Sequence, residues 1–375
     1  PGDIQVQNVP IRSVKIYSSL VEDTMAVVGW DIGGAHLKAA RCEGGRIVAT
    51  AQVAAPLRLG LERLAQAFAE AKSLIGSANC QIVTMTGELA DTFSSRAEGV
   101  ASLTAAAVRE LAPSRVVIYA GRAGFVAPTD APHHVTNIAS ANWFASASVV
   151  GKRIESSLFM DTGSTTTDIV PIVNGAVAAQ GYTDAERLTK GELVYTGLVR
   201  SFLMTTAERV PFAGNWSTLI RENFSTMADV HRILGSLPDG ADQMASADGR
   251  AKTIAASRAR LARIVGRDSD DADPSAWIAL AQYFVEAQIR AITDGGMLVL
   301  SRGELSASAP IVVAGVGAGL LREVARRLSR DHIDFDALID ASPDVRTMVS
   351  SVAPAASIAI LGSWAEDFSD HQMEA

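Results

Sequence analysis

Short apolar runs alternate with stretches of helical spacing in the first part of the chain. Apolar residues recur every three to four positions between residues 57 and 75, which predicts an amphipathic helix that stops at Gly76. Glu43-Gly44-Gly45 lies between two strand-like runs and predicts a hairpin turn. The predicted elements of this half are strands over 26–30, 37–41 and 46–53, a helix over 57–75, a strand over 81–85, a helix over 97–111 and a strand over 115–120. This order is typical of a mixed sheet with crossover helices.

The same order begins again near residue 158. Asn174-Gly175 separates two strand-like runs and is a strong hairpin signal. The predicted elements of this half are strands over 158–160, 168–173 and 176–181, a helix including 277–293, a strand over 310–313, a helix from Gly315 to about 329, a strand near 333–335 and a helix over about 357–368. We therefore expect an α/β protein with two related lobes that face a cleft.

The repeat sets the expected domain boundaries. Residues 25–150 form the first lobe and residues 151–375 the second, with a helical insertion over about 205–275. The arginines of this insertion are expected to line a solvated face: Arg258, Arg260, Arg263 and Arg267. Residues 1–24 lack the layout of a signal peptide and precede Met25, so we expect an N-terminal extension outside the core.

Composition narrows the classes of function. The 375 residues carry 33 Lys and Arg against 41 Asp and Glu, a net charge of −8, which argues against a nucleic acid as partner. No apolar run reaches the roughly 18 residues that suggest a membrane span. Cys42 and Cys80 are too few for a disulfide framework, and the six histidines lack ligand spacing. We therefore expect a cytoplasmic protein that acts on small molecules.

The first group of chemistry-bearing residues follows the first predicted strand. Asp31 ends that strand, and Gly33 and Gly34 form a tight turn after it. Glycines let the backbone approach a phosphate closely and leave its N–H groups free to donate. Asp31 is an expected Mg²⁺ ligand, since Mg²⁺ is bound through carboxylate and phosphate oxygens. Lys38 would bring positive charge to the same anion.

A second turn repeats this arrangement in the other half. Asp161 ends a predicted strand and is the second expected Mg²⁺ ligand, and Asp168 supplies a further carboxylate. The turn between them places hydroxyls beside backbone N–H groups and is expected to bind phosphate: Gly163, Ser164, Thr165 and Thr166. The alternative is an ordinary turn whose hydroxyls bond their own backbone. Because such a turn begins both halves, a phosphate-binding cleft is favoured.

A third glycine-rich turn lies near the end of the chain. Gly315, Gly317 and Gly319 lie between a predicted strand and the N-terminus of a predicted helix, an end that attracts anions. We expect this turn to contact an adenosine, a diphosphate or another polar group. A Rossmann turn is disfavoured because no strand–helix–strand unit follows it.

These three motifs, in this order in two repeated halves, resemble those of the actin/Hsp70/sugar-kinase superfamily. The resemblance implies two ribonuclease-H-like lobes with mixed sheets around a central cleft, plus a helical insertion, and leaves the reaction open. Three segments between the motifs are similar to the hydantoinase/oxoprolinase-like branch that includes the condensing enzymes of methanofuran biosynthesis: residues 86–91, 137–143 and 183–197.

That branch implies a transferase. It joins an aminomethylfuran methyl diphosphate to the phenol of γ-glutamyltyramine, or of a tyrosine analogue, forming an aryl ether and releasing diphosphate. Mg²⁺ near Asp31 and Asp161, together with Lys38 and the loop N–H groups, would neutralise the diphosphate. The same loops are compatible with ATP, which this reaction does not require.

Several side chains are candidates for the remaining steps. Asp168 or Glu88 would take the phenol proton. Asn142 and Trp143 would orient or stack on an aromatic substrate, with helix capping and core packing as equal alternatives. Two more candidates for substrate contact have a packed helix as their alternative: Glu192 and Tyr195.

Other reactions remain open on the same motifs. An ATP-dependent small-molecule kinase needs the same loops, plus adenosine in the turn over 314–319. A nucleotide-switched scaffold is a weaker alternative, because no polymer-forming insert or separate binding domain is recognisable. An ATP-assisted amidohydrolase is disfavoured because such enzymes are much larger. The transferase ranks first and the kinase second.

Overall fold

Two mixed six-stranded sheets organise residues 26–365, the part of the chain that this computed structural model describes. The predicted extension over 1–24 and the predicted helix end at Phe368 lie outside the described residues. The strands of the described part are, in chain order, β1 (Val27–Ile32), β2 (His36–Glu43), β3 (Arg46–Ala54), β4 (Cys80–Met85), β5 (Arg115–Tyr119), β6 (Phe125–Val126), β7 (Ser157–Thr162), β8 (Thr167–Val173), β9 (Ala176–Val177), β10 (Leu193–Val194), β11 (Arg209–Phe212), β12 (Asn215–Thr218), β13 (Ile311–Ala314) and β14 (His332–Asp334).

The two sheets share one topology. The first has the strand order β3-β2-β1-β4-β5-β6, and the second has the order β10-β8-β7-β13-β14 with β9 paired to β8. In the first sheet, β1 pairs antiparallel with β2 and parallel with β4. In the second sheet, β7 pairs in the same way with β8 and β13. The predicted α/β fold with two related halves is therefore confirmed.

Helices pack on the faces of both sheets. In the described part of the chain they are α1 (Leu61–Ile75), α2 (Arg96–Leu111), α3 (Val135–Ile138), α4 (Asn142–Arg153), α5 (Asp184–Lys190), α6 (Leu203–Thr206), α7 (Met227–Ile233), α8 (Ile254–Ile264), α9 (Pro274–Leu300), α10 (Ala318–Arg327), α11 (Arg346–Val349) and α12 (Ala353–Trp364). The first of these begins later than predicted because Gly60 has a φ of +109°, which ends a 3₁₀ turn before the helix starts.

Helix α9 includes the predicted 277–293 and extends beyond it at both ends. Gly295 and Gly296 weaken the helical signal of the sequence near the end of α9, since glycine is unfavourable inside helices. The glycines allow the helix to lie close to the second sheet. A Cβ atom on Gly295 would lie 2.9 Å from both Ile169 Cδ1 of β8 and Val194 Cγ2 of β10. Tertiary packing has therefore overridden local helix propensity here.

The last helix contacts the first sheet. Helix α12 packs against β1, β2 and β4 of the first sheet, although its residues were assigned to the second lobe over 151–375. A Cβ atom on Gly29 would lie 2.1 Å from Ala355 O, so strand and helix backbones are in direct contact. The segment Arg346–Trp364 is long and apolar enough to span a membrane, but 61 % of that window is buried inside the protein. Its apolar character is that of a core helix.

The insertion over 205–275 is only partly helical. Besides α7 and α8 it contains the hairpin β11–β12, whose turn residues Ala213 and Gly214 both have positive φ. The expectation of a solvated arginine face is wrong for Arg260, which is fully buried. Its guanidinium lies 2.7 Å from Asp229 Oδ1 and 3.0 Å from Asp248 Oδ1. These two carboxylates compensate a charge that burial would otherwise penalise.

Candidate active site

Equivalent hairpins of the two lobes carry the charged residues that the sequence singled out. The register of β1 and β2 places Asp31 opposite Lys38. The register of β7 and β8 places Asp161 opposite Asp168 at the corresponding position. Both β1 and β7 continue one residue beyond these aspartates, so the carboxylates lie within the strand ends rather than after them.

The tips of these hairpins have the same backbone pattern. Gly33 N donates to His36 O at 2.9 Å, and Gly163 N donates to Thr166 O at 2.9 Å. Within residues 26–365, no backbone carbonyl accepts a hydrogen bond from the N–H groups at the centres of the tips: Gly34, Ala35, Ser164 and Thr165. Successive free N–H groups of this kind form concave sites for anions. Both tips can therefore donate to phosphate oxygens.

The aspartates of the two lobes influence each other's ionisation. Burial raises the pKa of Asp31, partly offset by the positive charge of Lys38. Burial also raises the pKa of Asp161 to about 7, and the negative charges of Asp168 and Asp31 add to this increase. Strands β1 and β7 therefore bring their aspartates close enough for electrostatic coupling. The raised pKa values indicate that these two carboxylates are incompletely compensated, which favours a cation beside them.

Arg187 is a central residue that the sequence analysis missed. Its side chain is 1 % exposed, and its Nη1 lies 2.9 Å from Asp168 Oδ1. Its guanidinium carbon lies 3.9 Å from the centre of the Trp143 ring. Trp143 is itself buried, so the expectation that it stacks on a substrate is wrong. Its ring instead stabilises the arginine that orients Asp168.

The three segments that resembled the family meet around Ser140. Ser140 Oγ lies 2.9 Å from Glu88 Oε1 and 3.2 Å from Asp184 Oδ2. Arg96 pairs with the same Asp184 oxygen at 3.1 Å. Burial raises the pKa of Glu88 to about 7, although the Ser140 hydrogen bond opposes this. Glu88 Oε2 is enclosed without a partner among residues 26–365, so the structure does not present Glu88 as the base for a bound phenol.

The remaining substrate candidates separate into two kinds. Asn142 lies beside the first-lobe aspartate, with its Nδ2 3.5 Å from Asp31 Oδ1. Tyr195 is 69 % exposed and directly follows Val194, which pairs with Thr167 at the end of the second hairpin tip. Glu192, in contrast, is fully buried and accepts hydrogen bonds from Gln180 N at 2.8 Å and Gly181 N at 2.9 Å. Its predicted contact with substrate is therefore wrong.

The third glycine turn packs directly behind Asp161. Gly315 has a φ of +85°, and a Cβ atom there would lie 2.2 Å from Asp161 Oδ1. Gly317 N donates to Thr162 O at 2.9 Å. Gly319 has open space around it, since a Cβ atom there would meet nothing within 4 Å. Gly315 and Gly317 thus permit the close approach of β13 and α10 to β7. The expected contact of the three glycines with a ligand stays a prediction.

The carboxylates of Asp31 and Asp161 fit a Mg²⁺ ion that is also bound by phosphate better than a metal ion held by protein side chains alone. Among residues 26–365, no group of three or more His, Cys, Asp or Glu side chains is arranged to hold a metal ion. Mg²⁺ is commonly bound through one or two carboxylates, with phosphates and waters completing its shell. The buried aspartates Asp31 and Asp161, with their raised pKa values, match that donor set.

Residues 79–338 match the family model described as hydantoinase/oxoprolinase. The chain belongs to the hydantoinase/oxoprolinase family. The branch expected from the three segments around Ser140 is thereby confirmed. The matched region of this family member includes the second hairpin tip, Arg187 and the third glycine turn, and it begins after the first hairpin.

Two proteins similar to this hydantoinase/oxoprolinase family member carry the same name, (4-{4-[2-(gamma-L-glutamylamino)ethyl]phenoxymethyl}furan-2-yl)methanamine synthase. The one from Methanocaldococcus jannaschii is 26 % identical over 79 % of this chain and 88 % of its own. The one from Methanococcus vannielii is 27 % identical over 57 % of this chain and 95 % of its own. Among solved structures, nucleotide-free acetone carboxylase has a TM-score of 0.55 at 10 % identity, covering 90 % of this chain and 70 % of that one. This likeness agrees with the expected α/β fold of two related lobes.

Proposed function

We propose that this protein is a transferase that forms an aryl ether in methanofuran biosynthesis in the cytoplasm. It would join an aminomethylfuran methyl diphosphate to the phenol of γ-glutamyltyramine, or of a tyrosine analogue, and release diphosphate. The names of the two synthases support the product. The observation that carries the proposal is the pair of hairpin tips with free N–H groups, next to Lys38 and the two buried aspartates.

The first step is cleavage of the bond between the furan CH₂ and the diphosphate oxygen. The bonding electron pair leaves with the diphosphate, and the furan ring stabilises the positive charge left on the CH₂ group. Negative charge would therefore develop on the diphosphate, where the N–H groups of both hairpin tips and the Lys38 ammonium would stabilise it. Such preorganised donors are worth about 3–4 kcal/mol each in reactions of this electrostatic type.

Asp31 and Asp161 would hold Mg²⁺ in this site. When bound, the ion acts as a Lewis acid that neutralises charge on the phosphate oxygens. The Asn142 amide near Asp31 would orient that carboxylate towards the cleft.

The second step is attack of the phenol oxygen on the furan CH₂. The new C–O bond forms while the phenol proton passes to a base, for which Asp168 is better placed than Glu88. The Asp168 side chain is 18 % exposed, and Arg187 pairs with its Oδ1, which leaves Oδ2 available to the substrate. Burial raises the pKa of Asp168 above its usual range despite Arg187, which strengthens it as a base. Exposed Tyr195 would line the entrance for the aromatic acceptor.

Incubation of the purified protein with both substrates and Mg²⁺ tests this proposal. We expect the ether and one diphosphate per ether, measured by mass spectrometry and a diphosphate assay. Asp168→Asn should lower kcat by about 10²–10⁴-fold, the usual worth of a general base. Asp294→Asn, at an exposed ion pair on α9, is the matched control and should leave kcat unchanged.

Two results would contradict the proposal. If the folded protein forms no ether from both substrates in the presence of Mg²⁺, the proposed transferase activity is wrong. Transfer of phosphate from ATP to the phenol-bearing acceptor, without ether, would establish the kinase alternative. Full activity of Asp168→Asn would leave the transferase standing but remove its proposed base.

A further inference from the structure

Arg200, beside the second hairpin tip, has no role assigned to it so far. The backbone of residues 197–200 supports the second tip, with Leu198 N donating to Gly163 O at 3.0 Å and Arg200 N donating to Ser164 O at 2.8 Å. A Cβ atom on Gly197 would lie 2.4 Å from Thr165 N, so the two segments are in direct contact. Arg200 is therefore fixed in position relative to a tip that offers free N–H groups.

The Arg200 charge acts on the first lobe as well as the second. Burial, with further contributions from the positive charges of Lys38 and then Arg200, lowers the pKa of His36 to about 4. His36 ends the first hairpin tip, so both cations lie near that tip. Within residues 26–365 Arg200 has no ion pair with a carboxylate. An arginine is always charged, and leaving its guanidinium half-buried without a negatively charged partner costs free energy. A bound anion at this position would offset that cost.

His36 gives a second, independent sign of a missing partner. Its side chain is only 6 % exposed, and its Nε2 is buried without a hydrogen-bond partner among the described residues. Buried polar atoms normally have partners, and an exception near the positive charges of Lys38 and Arg200 indicates a site completed by a ligand.

We propose that Arg200 is a catalytic residue that donates hydrogen bonds to the diphosphate and stabilises the charge that it gains as the C–O bond breaks. The inference rests on the proposed function and adds a residue of the second lobe to the anion site formed by Lys38. A planar guanidinium can bind two phosphate oxygens at once, whereas Lys38 acts as a point charge. Because Arg200 and Lys38 stand on different lobes, a diphosphate can engage both cations at once, which favours it over a single phosphate.

Titration calorimetry with inorganic diphosphate and with orthophosphate, each with Mg²⁺, tests this assignment. Arg200→Gln should weaken diphosphate binding by about 10–100-fold, the worth of hydrogen bonds to a charged group, and orthophosphate binding by less. Arg200→Lys should recover part of the loss. Arg221→Gln removes one exposed positive charge from the same lobe and should bind diphosphate as the wild type does. Circular dichroism and the Tm of each variant establish that it is folded.

Kinetics of the full reaction add a readout that a purely structural role would not move. Arg200→Gln should lower kcat by about 10²–10³-fold, because the charge on the leaving group is greatest in the transition state. Unchanged diphosphate affinity in Arg200→Gln, or no binding of diphosphate by the wild type, would overturn the role of Arg200. Loss of diphosphate binding in Arg200→Gln without any ether formation by the wild type would keep Arg200 as an anion ligand and remove the transferase.

Discussion

Buried charges in this protein differ in how completely they are compensated. Arg187 and Arg260 are both fully enclosed, and each has a carboxylate within 3 Å. Glu88 is also enclosed, but one of its oxygens has no side-chain or main-chain partner outside its own residue in the described chain, and the other accepts a hydrogen bond from the Ser140 hydroxyl. An uncompensated buried carboxyl favours its neutral form. Glu88 is therefore a residue at which stability depends on pH.

We predict that Glu88→Gln flattens the pH dependence of folding. The folded-state pKa of Glu88 is raised from 4.5 to about 7, so its contribution to stability is complete below about pH 4.5 and is lost as the pH rises to about 7. Glutamine keeps an acceptor for Ser140 and does not titrate. Between pH 5 and pH 8 the wild type should lose about 2–3 kcal/mol relative to this variant, measured by urea unfolding.

The control for this prediction is Glu304→Gln, an exposed position at which the wild-type pH dependence should persist. If the free energy of unfolding changes with pH in the same way in the wild type and in Glu88→Gln, the prediction is wrong. Two charged neighbours also affect the pKa of Glu88. The negative charge of Asp184 raises it, and the positive charge of Arg96 lowers it.

The connection between β13 and α10 shows how one element fixes another. Its glycines allow a turn to pass directly behind the strand that carries Asp161, and Gly317 N is hydrogen-bonded to that strand. The position of the Asp161 carboxylate is therefore set by a segment about 150 residues later in the chain.

We predict opposite outcomes for alanine at two glycines of this connection. Gly315→Ala combines a positive φ with a Cβ atom 2.2 Å from Asp161 Oδ1, so it should destabilise the protein by about 2 kcal/mol or more and reduce Mg²⁺-dependent activity. Gly319→Ala lies in α10 with open space and should stabilise the protein by up to about 1 kcal/mol. Thermal unfolding of both variants measures the difference, and equal Tm values would refute it.

Local signals predicted most elements and both hairpin tips, because turn chemistry and periodicity act over a few residues. Asn174-Gly175 does form the predicted turn, with positive φ at both residues. Strand β10 has only two residues and no period to detect. The pairing of Arg187 with Asp168 also had no signal, because it depends on how α5 folds back on β8. Arg200 was missed for the same reason, since its importance comes from tertiary contacts with the second tip.

The whole molecule is joined by a layer between its two sheets. Helices α4 and α12 lie in that layer, and its apolar cluster draws on both lobes: Ala40, Ile47, Trp143, Phe159, Val170 and Ala356. The sequence repeat indicated two lobes but not this shared layer, because the repeat says nothing about which sheet the last helix covers. The first lobe is consequently incomplete without residues near the end of the chain.

We predict that residues 26–150 do not fold by themselves. Without α12, one face of β1, β2 and β4 would be exposed to water, at a cost of about 25 cal/mol for each Å² of apolar surface. Joining residues 346–365 to this fragment through a flexible linker should restore a cooperative thermal transition. Circular dichroism and amide hydrogen exchange would compare the two fragments. A cooperative transition in residues 26–150 alone would show that α12 is dispensable.

The matching registers of the two hairpins have a consequence for the direction in which a substrate can lie. Related halves facing one another would, if identical, accept an elongated molecule equally well in two opposite orientations. Here the position opposite the strand aspartate is Lys38 in one lobe and Asp168 in the other. This exchange of sign breaks the twofold equivalence of the halves. In the proposed reaction, the wall with Lys38 would attract the anionic end of the substrate and the wall with Asp168 would receive its proton, so the pseudo-symmetric fold would give the reaction a single polarity.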